Sequence, residues 1–170
     1  MENEIIKLNP FNLKNKLITK EGVNKILKEY DIEEEIHNLE YYQRAFIHKS
    51  YIKKENKDDV ELEEKPEDCL DLQETSNERL EYLGDAILSA TVASYLYERF
   101  PNEEEGFMTR IRTKLVNGEM LGSLADKMDL NEHLVISRHV EEKCNGRNSV
   151  KILEDIFESF IGAIYLDFNE

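Results

Sequence analysis

Three carboxylates on one predicted helix face are the residues whose types and spacing point most directly to chemistry. Glu78, Glu81 and Asp85 stand at positions i, i+3 and i+7 of a helix-forming segment. Because a helix turns about 100° per residue, their side chains share one face. Like charges packed this closely repel one another, and a bound divalent cation would compensate the repulsion. A pair such as Glu81 and Asp85 alone is more often a solvated helix face, and that interpretation stays open here.

A second acidic pair lies near the end of the chain, in a segment that is otherwise strongly apolar. Asp155 and Glu158 stand at i and i+3 among isoleucines, leucines and phenylalanines. Acidic side chains are seldom buried unless they are paired or bound to metal. Two helices that each present an acidic pair would offer four oxygen ligands, which suit Mg²⁺ or Mn²⁺ better than zinc. Metal sites of this kind activate water against a phosphodiester.

Helices must position these acids, because apolar residues recur at helical spacing along most of the chain. The predicted helices cover residues 21–30, 39–51, 77–100, 103–117, 118–128 and 150–166. Ser76 or Asn77 can cap the third helix, which Pro101 ends and which we expect to be long and mostly buried. The polar residues 137–149 are predicted to form a loop. No alternating strand pattern is visible, so the predicted fold class is all-α, a helical bundle.

The composition predicts one globular domain over residues 1–170. The chain is 40 % hydrophobic, which is enough for a core. It shows no apolar run of about 18 residues and no signal-peptide pattern, so we expect no membrane contact and an intracellular location, cytoplasmic or nuclear. Cys69 and Cys144 lie in polar contexts and are interpreted as free thiols.

The charge of the chain is strongly negative and unevenly distributed. Its formal net charge of −15 argues against a generic basic nucleic-acid binder. Residues 53–75 alone contain ten acids and four lysines, with Pro66 among them. Such a segment buries too little surface to offset its ordering entropy, so we predict a flexible acidic insertion. Residues 1–20 are weakly patterned and are interpreted as an N-terminal extension.

Four blocks of this sequence resemble the ribonuclease III family. Residues 77–88, NERLEYLGDAIL, resemble the signature motif of the family, with Tyr82 in place of the commoner Phe. Residues 45–51, AFIHKSY, resemble its first-helix motif, and Glu105-Gly106-Phe107 follows the proline as it does in the family. Residues 151–167, KILEDIFESFIGAIYLD, complete the series and are similar to the Dicer-type versions. These blocks span most of residues 40–168 in the order of the family.

The resemblance implies a role for several of these residues. Four are implied to form the catalytic Mg²⁺ cluster, for which Mn²⁺ can substitute: Glu81, Asp85, Asp155 and Glu158. Glu78 and Glu105 match acidic positions that support the site or its dimer partner, and Tyr82 matches an aromatic residue that contacts the second subunit. Lys151 matches a lysine near the scissile phosphate in Dicer-like members. Glu154 departs from the family pattern, because a small residue is usual there.

The resemblance also implies a reaction and partners. The expected reaction is Mg²⁺-dependent cleavage of double-stranded RNA by metal-activated water, leaving 5′-phosphate and 3′-hydroxyl ends with two-nucleotide 3′ overhangs. A symmetric homodimer would place two identical sites across the duplex. Family members often continue into a double-stranded RNA-binding domain. No such domain is expected within residues 1–170, so it would be C-terminal or separate.

Two other functions stay open. One is a non-cleaving ribonuclease III-like domain that binds structured RNA or acts as a scaffold, although such relatives usually lack one or more of the four acids. The other is a metal-dependent hydrolase of small phosphate compounds built on a helical bundle. That class ordinarily adds histidine ligands in Glu-x-x-His motifs, and no histidine of this chain is placed for that role.

Overall fold

Helices dominate the computed structural model, which describes residues 6–53 and 60–169. The α-helices are α1 (Lys20–Lys28), α2 (Leu39–Ala45), α3 (Glu78–Arg99), α4 (Glu105–Leu115), α5 (Gly118–Lys127), α6 (Arg138–Lys143) and α7 (Val150–Phe168). Short 3₁₀ turns lie at Lys49–Tyr51, Leu130–His133 and Gly146–Asn148. None of the described helices combines the length and apolar character needed to cross a membrane. The prediction of an all-helical fold class is confirmed.

Helix α7 is the centre of the core. It packs against α2, α3 and α5, as its strongly apolar sequence predicts. Its buried apolar side chains are Ile152, Leu153, Ile156, Phe157, Phe160 and Ala163. The Phe160 ring meets Tyr42 of α2 edge-on, with ring centroids 5.8 Å apart. At its C-terminal end, the buried Asp167 accepts hydrogen bonds from the Tyr42 hydroxyl and the Asn38 amide.

Helix α3 is long, as predicted, but it is not mostly buried. Only Leu80, Gly84 and Leu96 are buried along its length, whereas Tyr82 is 82 % exposed and Tyr97 is 73 % exposed. The expectation of burial was wrong because α3 packs mainly against α7 and to a lesser extent against α4, which leaves Tyr82, Tyr95 and Tyr97 exposed. Exposed large aromatic side chains on one helix are typical of an interaction surface.

Two predicted segments adopt other local structure. Helix α2 ends at Ala45, short of the predicted Tyr51, because the backbone around Ile47 pairs with Val135 instead. The predicted loop 137–149 contains α6, whose first turn is capped by the Ser137 hydroxyl. A six-residue helix is too short to show the apolar period on which the prediction depended.

A small parallel sheet joins the N-terminal extension to the acidic insertion. Strands β1 (Ile6–Leu8) and β2 (Val60–Leu62) pair in register. No alternating pattern marks these strands in the sequence, because three-residue strands are too short to show one and these pair across a long sequence separation. Residues 54–59 of the predicted insertion lie outside the described residues, and the flexibility of the segment stays a prediction.

The N-terminal extension is held against the helical core by asparagine side chains. Asn15 donates to the Ile136 carbonyl at 2.9 Å and accepts from the Ile136 amide at 3.1 Å. Asn12 donates to the same carbonyl at 3.2 Å. These bonds satisfy backbone groups of a buried segment. Both cysteines are free thiols, as predicted, and Cys69 is buried.

Candidate active site

Two glycines allow α3 and α7 to cross at backbone contact. A Cβ atom on Gly84 would lie 1.7 Å from the Glu158 carbonyl oxygen, and one on Gly162 would lie 2.5 Å from the Leu80 carbonyl oxygen. Neither position can carry a larger side chain without separating the helices. Glu81 precedes Gly84 by one turn, so this crossing brings the acids of α3 to those of α7.

Three of the four predicted ligands converge at this crossing. Glu81, Asp155 and Glu158 each place a carboxylate oxygen within 4.8 Å of the others. Glu158 is only 7 % exposed, and the other two are partly buried. The cluster borders an open pocket of about 440 Å³. Its lining residues are Glu78, Glu81, Tyr82, Asp85, Lys151, Glu154 and Glu158.

Asp85, the fourth predicted ligand, lies on the wall of the same pocket but outside the tight cluster. Its side chain is exposed. It is close enough that its charge raises the pKa of Glu158. Three of the four acids, Glu81, Asp85 and Glu158, thus line one pocket, and Asp155 lies at ligand spacing from Glu81 and Glu158.

Burial and neighbouring acids raise the pKa of Glu81 and Glu158. Burial, followed by the charges of Asp85, Glu154 and Glu81, raises the pKa of Glu158 to about 7. Burial, followed by the charge of Asp155, raises the pKa of Glu81. Both shifts mean that ionising the cluster costs free energy when no divalent cation is bound. Perturbed acids that converge in a pocket are typical of functional sites.

Lys151 supplies positive charge to the cluster. Its Nζ lies 2.8 Å from Asp155 Oδ1 and 3.2 Å from Glu154 Oε2. A hydrogen bond to Asp155 is the largest cause that raises the pKa of Lys151, so this side chain stays a cation. Lys151 therefore lies beside the acids, and its supporting role stays a prediction.

The donor set fits a hard divalent cation. All the converging ligand atoms are carboxylate oxygens, which Mg²⁺ and Mn²⁺ prefer. Asp155 Oδ1 has no solvent-accessible surface, and the Lys151 ammonium, 2.8 Å away, is the positive charge beside it. The residues present therefore fit the divalent metal that the sequence predicts.

The predicted supporting residue Glu78 and the predicted dimer contact Tyr82 both line the pocket. The Glu78 carboxylate accepts from the Ser76 hydroxyl at 2.9 Å and pairs with Lys49 at 3.3 Å. The Ser76 bond is the main cause that lowers the pKa of Glu78, so this acid behaves unlike the inner ones. Tyr82 lies beside it, with most of its ring in solvent.

Glu105 does not line the acidic pocket of its own chain. It lies at the start of α4, in a separate groove of about 320 Å³ between α3 and α4 that Tyr97 also lines. Its carboxylate accepts from the Thr109 hydroxyl at 2.7 Å. A supporting role for Glu105 therefore stays a prediction, and it would have to act on a second copy of the chain.

Sequence reasoning missed the residues that hold the site in place. Gly84 and Gly162 carried a signal, because a glycine within a helical pattern often marks a close backbone approach. The buried Ser159 carried none. Its hydroxyl donates to the Asp155 carbonyl at 2.7 Å and lies 3.4 Å from the Asn77 carbonyl oxygen, which links α7 to the start of α3.

Comparisons with known proteins give the same assignment for the fold and the motifs. The family model described as Ribonuclease-III-like matches residues 38–169. A protein named probable ribonuclease 3, from Acanthamoeba polyphaga mimivirus, is 35 % identical over 164 residues, which are 92 % of this chain and 29 % of that protein. Ribonuclease 3 of Staphylococcus aureus is 39 % identical over 130 residues, which are 76 % of this chain and 47 % of that protein.

A solved structure extends the likeness to three dimensions. The nuclease domain of ribonuclease III from Campylobacter jejuni superimposes with a TM-score of 0.67 at 29 % identity, covering 85 % of each chain. This chain spans about half or less of the curated relatives cited above. The matched residues 38–169 include both acidic helices and the whole of the pocket between them. The chain belongs to the Ribonuclease-III-like family.

Proposed function

We propose that this chain is the catalytic domain of an endoribonuclease that cleaves double-stranded RNA with Mg²⁺ as its cation. The observation that carries the proposal is the convergence of Glu81, Asp155 and Glu158 at the crossing of α3 and α7. These acids are costly to hold together, and membership of the family supplies a chemistry that uses them. The names of the relatives, ribonuclease 3, support the same reaction class.

The proposal assigns a role to each of the four acids and to Lys151. Glu81, Asp155 and Glu158 would hold the cation, and Asp85 would complete the oxygen set from the pocket wall. A bound divalent cation would supply a nucleophilic water at neutral pH and neutralise charge on the phosphate. Lys151, which stays cationic beside Asp155, would bind a phosphate oxygen of the substrate. Mn²⁺ would substitute for Mg²⁺, because it prefers the same oxygen ligands.

The products follow from the geometry of attack at phosphorus. In-line displacement of the 3′ oxygen would leave a 5′-phosphate and a 3′-hydroxyl. Two sites related by a two-fold axis would cut both strands and leave two-nucleotide 3′ overhangs. The pocket is open to solvent on one side, which gives a backbone phosphate access to the acids.

A homodimer is part of the proposal. Tyr82 is 82 % exposed although it borders the pocket, and the exposed Tyr97 lies on the same helix. An isologous interface over α3 would bury these rings and set two pockets side by side. The Campylobacter relative supports this, since its description names a region involved in dimer formation of the nuclease domain.

RNA affinity would come largely from a basic module, C-terminal or separate. The net charge of −15 opposes the binding of phosphate by this chain alone. A double-stranded RNA-binding domain supplies such contacts by shape. The expected compartment is intracellular, cytoplasmic or nuclear, where structured RNA is found.

The proposal is tested by incubating the full-length protein with labelled duplex RNA of about 30 base pairs, in Mg²⁺ or in Ca²⁺. We expect discrete products in Mg²⁺, and a rate at least about 100-fold lower for Glu158→Gln, because a ligand of the cation is lost. Glu98→Gln is the matched control, since it removes one exposed acid of α3 away from the pocket.

Other outcomes would support one of the alternative functions. Binding of the duplex without any cleavage in Mg²⁺ or Mn²⁺ would favour the non-cleaving domain. Hydrolysis of a small phosphate ester without RNA cleavage would favour the small-phosphate hydrolase. Light scattering tests the dimer separately, because Tyr82→Ala should convert the native dimer to a 20.0 kDa species.

A further inference from the structure

Lys151 is shared between two carboxylates at the edge of the acidic pocket. Its ammonium lies 2.8 Å from Asp155 and 3.2 Å from Glu154. The lysine side chain is 66 % exposed, so little packing holds it in this position. Its placement therefore depends on the two anions.

Glu154 differs from Asp155 in what surrounds it. Its carboxylate lies over the first residue of α5: a Cβ on Gly118 would come within 2.8 Å of Glu154 Oε2. Because glycine has no Cβ atom, the Glu154 carboxylate can occupy this position. The N-terminus of α5 carries partial positive charge, which favours an ionised carboxylate beside it. Glu154 is only 21 % exposed, so it is better fixed than the lysine that it pairs with.

The two anions would respond differently to a cation. Asp155 belongs to the converging cluster and would coordinate a bound cation. That cation would also repel the Lys151 ammonium. Glu154 lies outside the cluster of three and would keep its negative charge for the lysine. With Glu154 absent, a flexible and exposed lysine would swing into solvent.

We propose that Glu154 is a positioning residue that keeps the Lys151 ammonium at the pocket edge while a cation occupies Asp155. The ammonium is then in place to meet a phosphate oxygen of the RNA backbone. This inference rests on the proposed function of the pocket, and it gives a reason for an acid where the family usually has a small residue. Glu154 acts only through Lys151 and touches no reacting atom.

The test is a double-mutant cycle on duplex RNA cleavage by the full-length protein. Glu154→Gln should lower kcat by about 5- to 10-fold, with KM and the half-saturating Mg²⁺ concentration unchanged. In the Lys151→Gln background, the same substitution should change kcat by less than about 2-fold, because the lysine through which it acts is gone. Glu119→Gln is the control, since it removes an exposed acid from the same end of α5.

A measurement without RNA tests the same contact. In ¹H–¹⁵N spectra at saturating Mg²⁺, the Lys151 ammonium signal should be protected from solvent exchange in the native chain and in Glu119→Gln, and lost in Glu154→Gln. Equal signals in the native chain and Glu154→Gln would overturn the inference. So would equal losses of kcat in both backgrounds, a weaker Mg²⁺ affinity in calorimetry, or a fall in KM. A protected signal without RNA cleavage would reject the proposed function and leave the positioning role standing.

Discussion

The acidic pocket and the acidic segment 60–75 are both rich in carboxylates, but the surroundings of Glu158 in the pocket raise its pKa, whereas those of Asp71 in the segment lower it. In the segment, Asp71 pairs with Lys65 at 2.7 Å, and the hydrogen bond from that lysine lowers the pKa of Asp71. Glu63 accepts from the Asn9 side chain at 2.6 Å. In the pocket, burial and neighbouring acids raise the pKa of Glu158 to about 7. Residue type alone therefore does not distinguish the two regions.

The two regions differ in whether their acidic side chains converge. Exposed acids that each have a cation or water beside them cost little, and they contribute to solubility. Acids that helix packing forces together are destabilising until a cation arrives. For Glu158, a pKa near 7 against an ordinary value of 4.5 corresponds to a penalty of about 3 kcal/mol above neutral pH. A cost of that kind marks the pocket, and not the segment, as the functional region.

The largest expected effect comes from separating the two helices that create the convergence. Gly84→Ala would place a methyl group 1.7 Å from the Glu158 carbonyl oxygen, which is backbone and cannot rotate away. We expect the free energy of unfolding to fall by about 3 kcal/mol, measured by urea denaturation. The pKa of Glu158 in the folded variant, measured by NMR titration, should fall toward that of an ordinary acid.

Gly106→Ala is the matched control for that variant. The nearest atom to a Cβ on Gly106 is the Arg110 guanidinium nitrogen Nη1, 3.7 Å away, and the residue lies in the first turn of α4. The substitution should be neutral or slightly stabilising, since Ala forms helices better than Gly. If both variants lost the same stability, backbone contact at the crossing would not be what brings the acids together.

Local patterns in the sequence predict much of this molecule. The apolar period of α7 is long and regular, so its place at the centre of the core follows from residues near one another in the chain. The acidic pairs on α3 and α7 could be assigned to one site because each stands on such a helix and each lies in a family motif. Three of those four acids converge at ligand spacing.

Features that depend on distant residues could not be predicted. The pairing of β1 with β2 and the bonds from Asn15 to Ile136 join residues far apart in the sequence, in segments too short to show a period. The exposure of Tyr82 depends on which face of α3 meets α7, and an apolar residue on either face looks the same in the sequence. The position of Asp85 outside the tight cluster does not follow from its spacing to Glu81, because the spacing fixes only which helix face carries it.

The next effect is expected from pH, and it has opposite signs in the two regions. Because the pKa of Glu158 is raised, the folded state binds more protons than the unfolded state between pH 4.5 and about 7. Stability should therefore fall as the pH rises through that window, by at most about 3 kcal/mol. Thermal unfolding of cation-free protein at a series of pH values measures this. The lowered pKa of Asp71 acts the other way, and its contribution is lost as the pH falls below its ordinary value of 3.8.

Glu158→Gln isolates the pocket in that experiment. The variant should lack the decline between pH 5 and pH 8, and Mg²⁺ should raise the Tm of the native chain at pH 8 far more than that of the variant. Asp68→Asn, an exposed acid of the segment, should leave both behaviours intact. If the stability of Glu158→Gln still declined over this pH range, the titration of other acids would be the cause.

The smallest effect is expected from breaking an ion pair in the segment. Lys65→Gln removes the contact with Asp71, whose side chain is 79 % exposed. Water can replace the lysine there, so neither the Tm nor the rate of RNA cleavage should change measurably, at low or at high salt. The pKa of Asp71, followed by NMR, should rise back toward its ordinary value. A loss of cleavage with this variant would contradict the comparison, because it would couple the paired acids of the segment to the converging acids of the pocket.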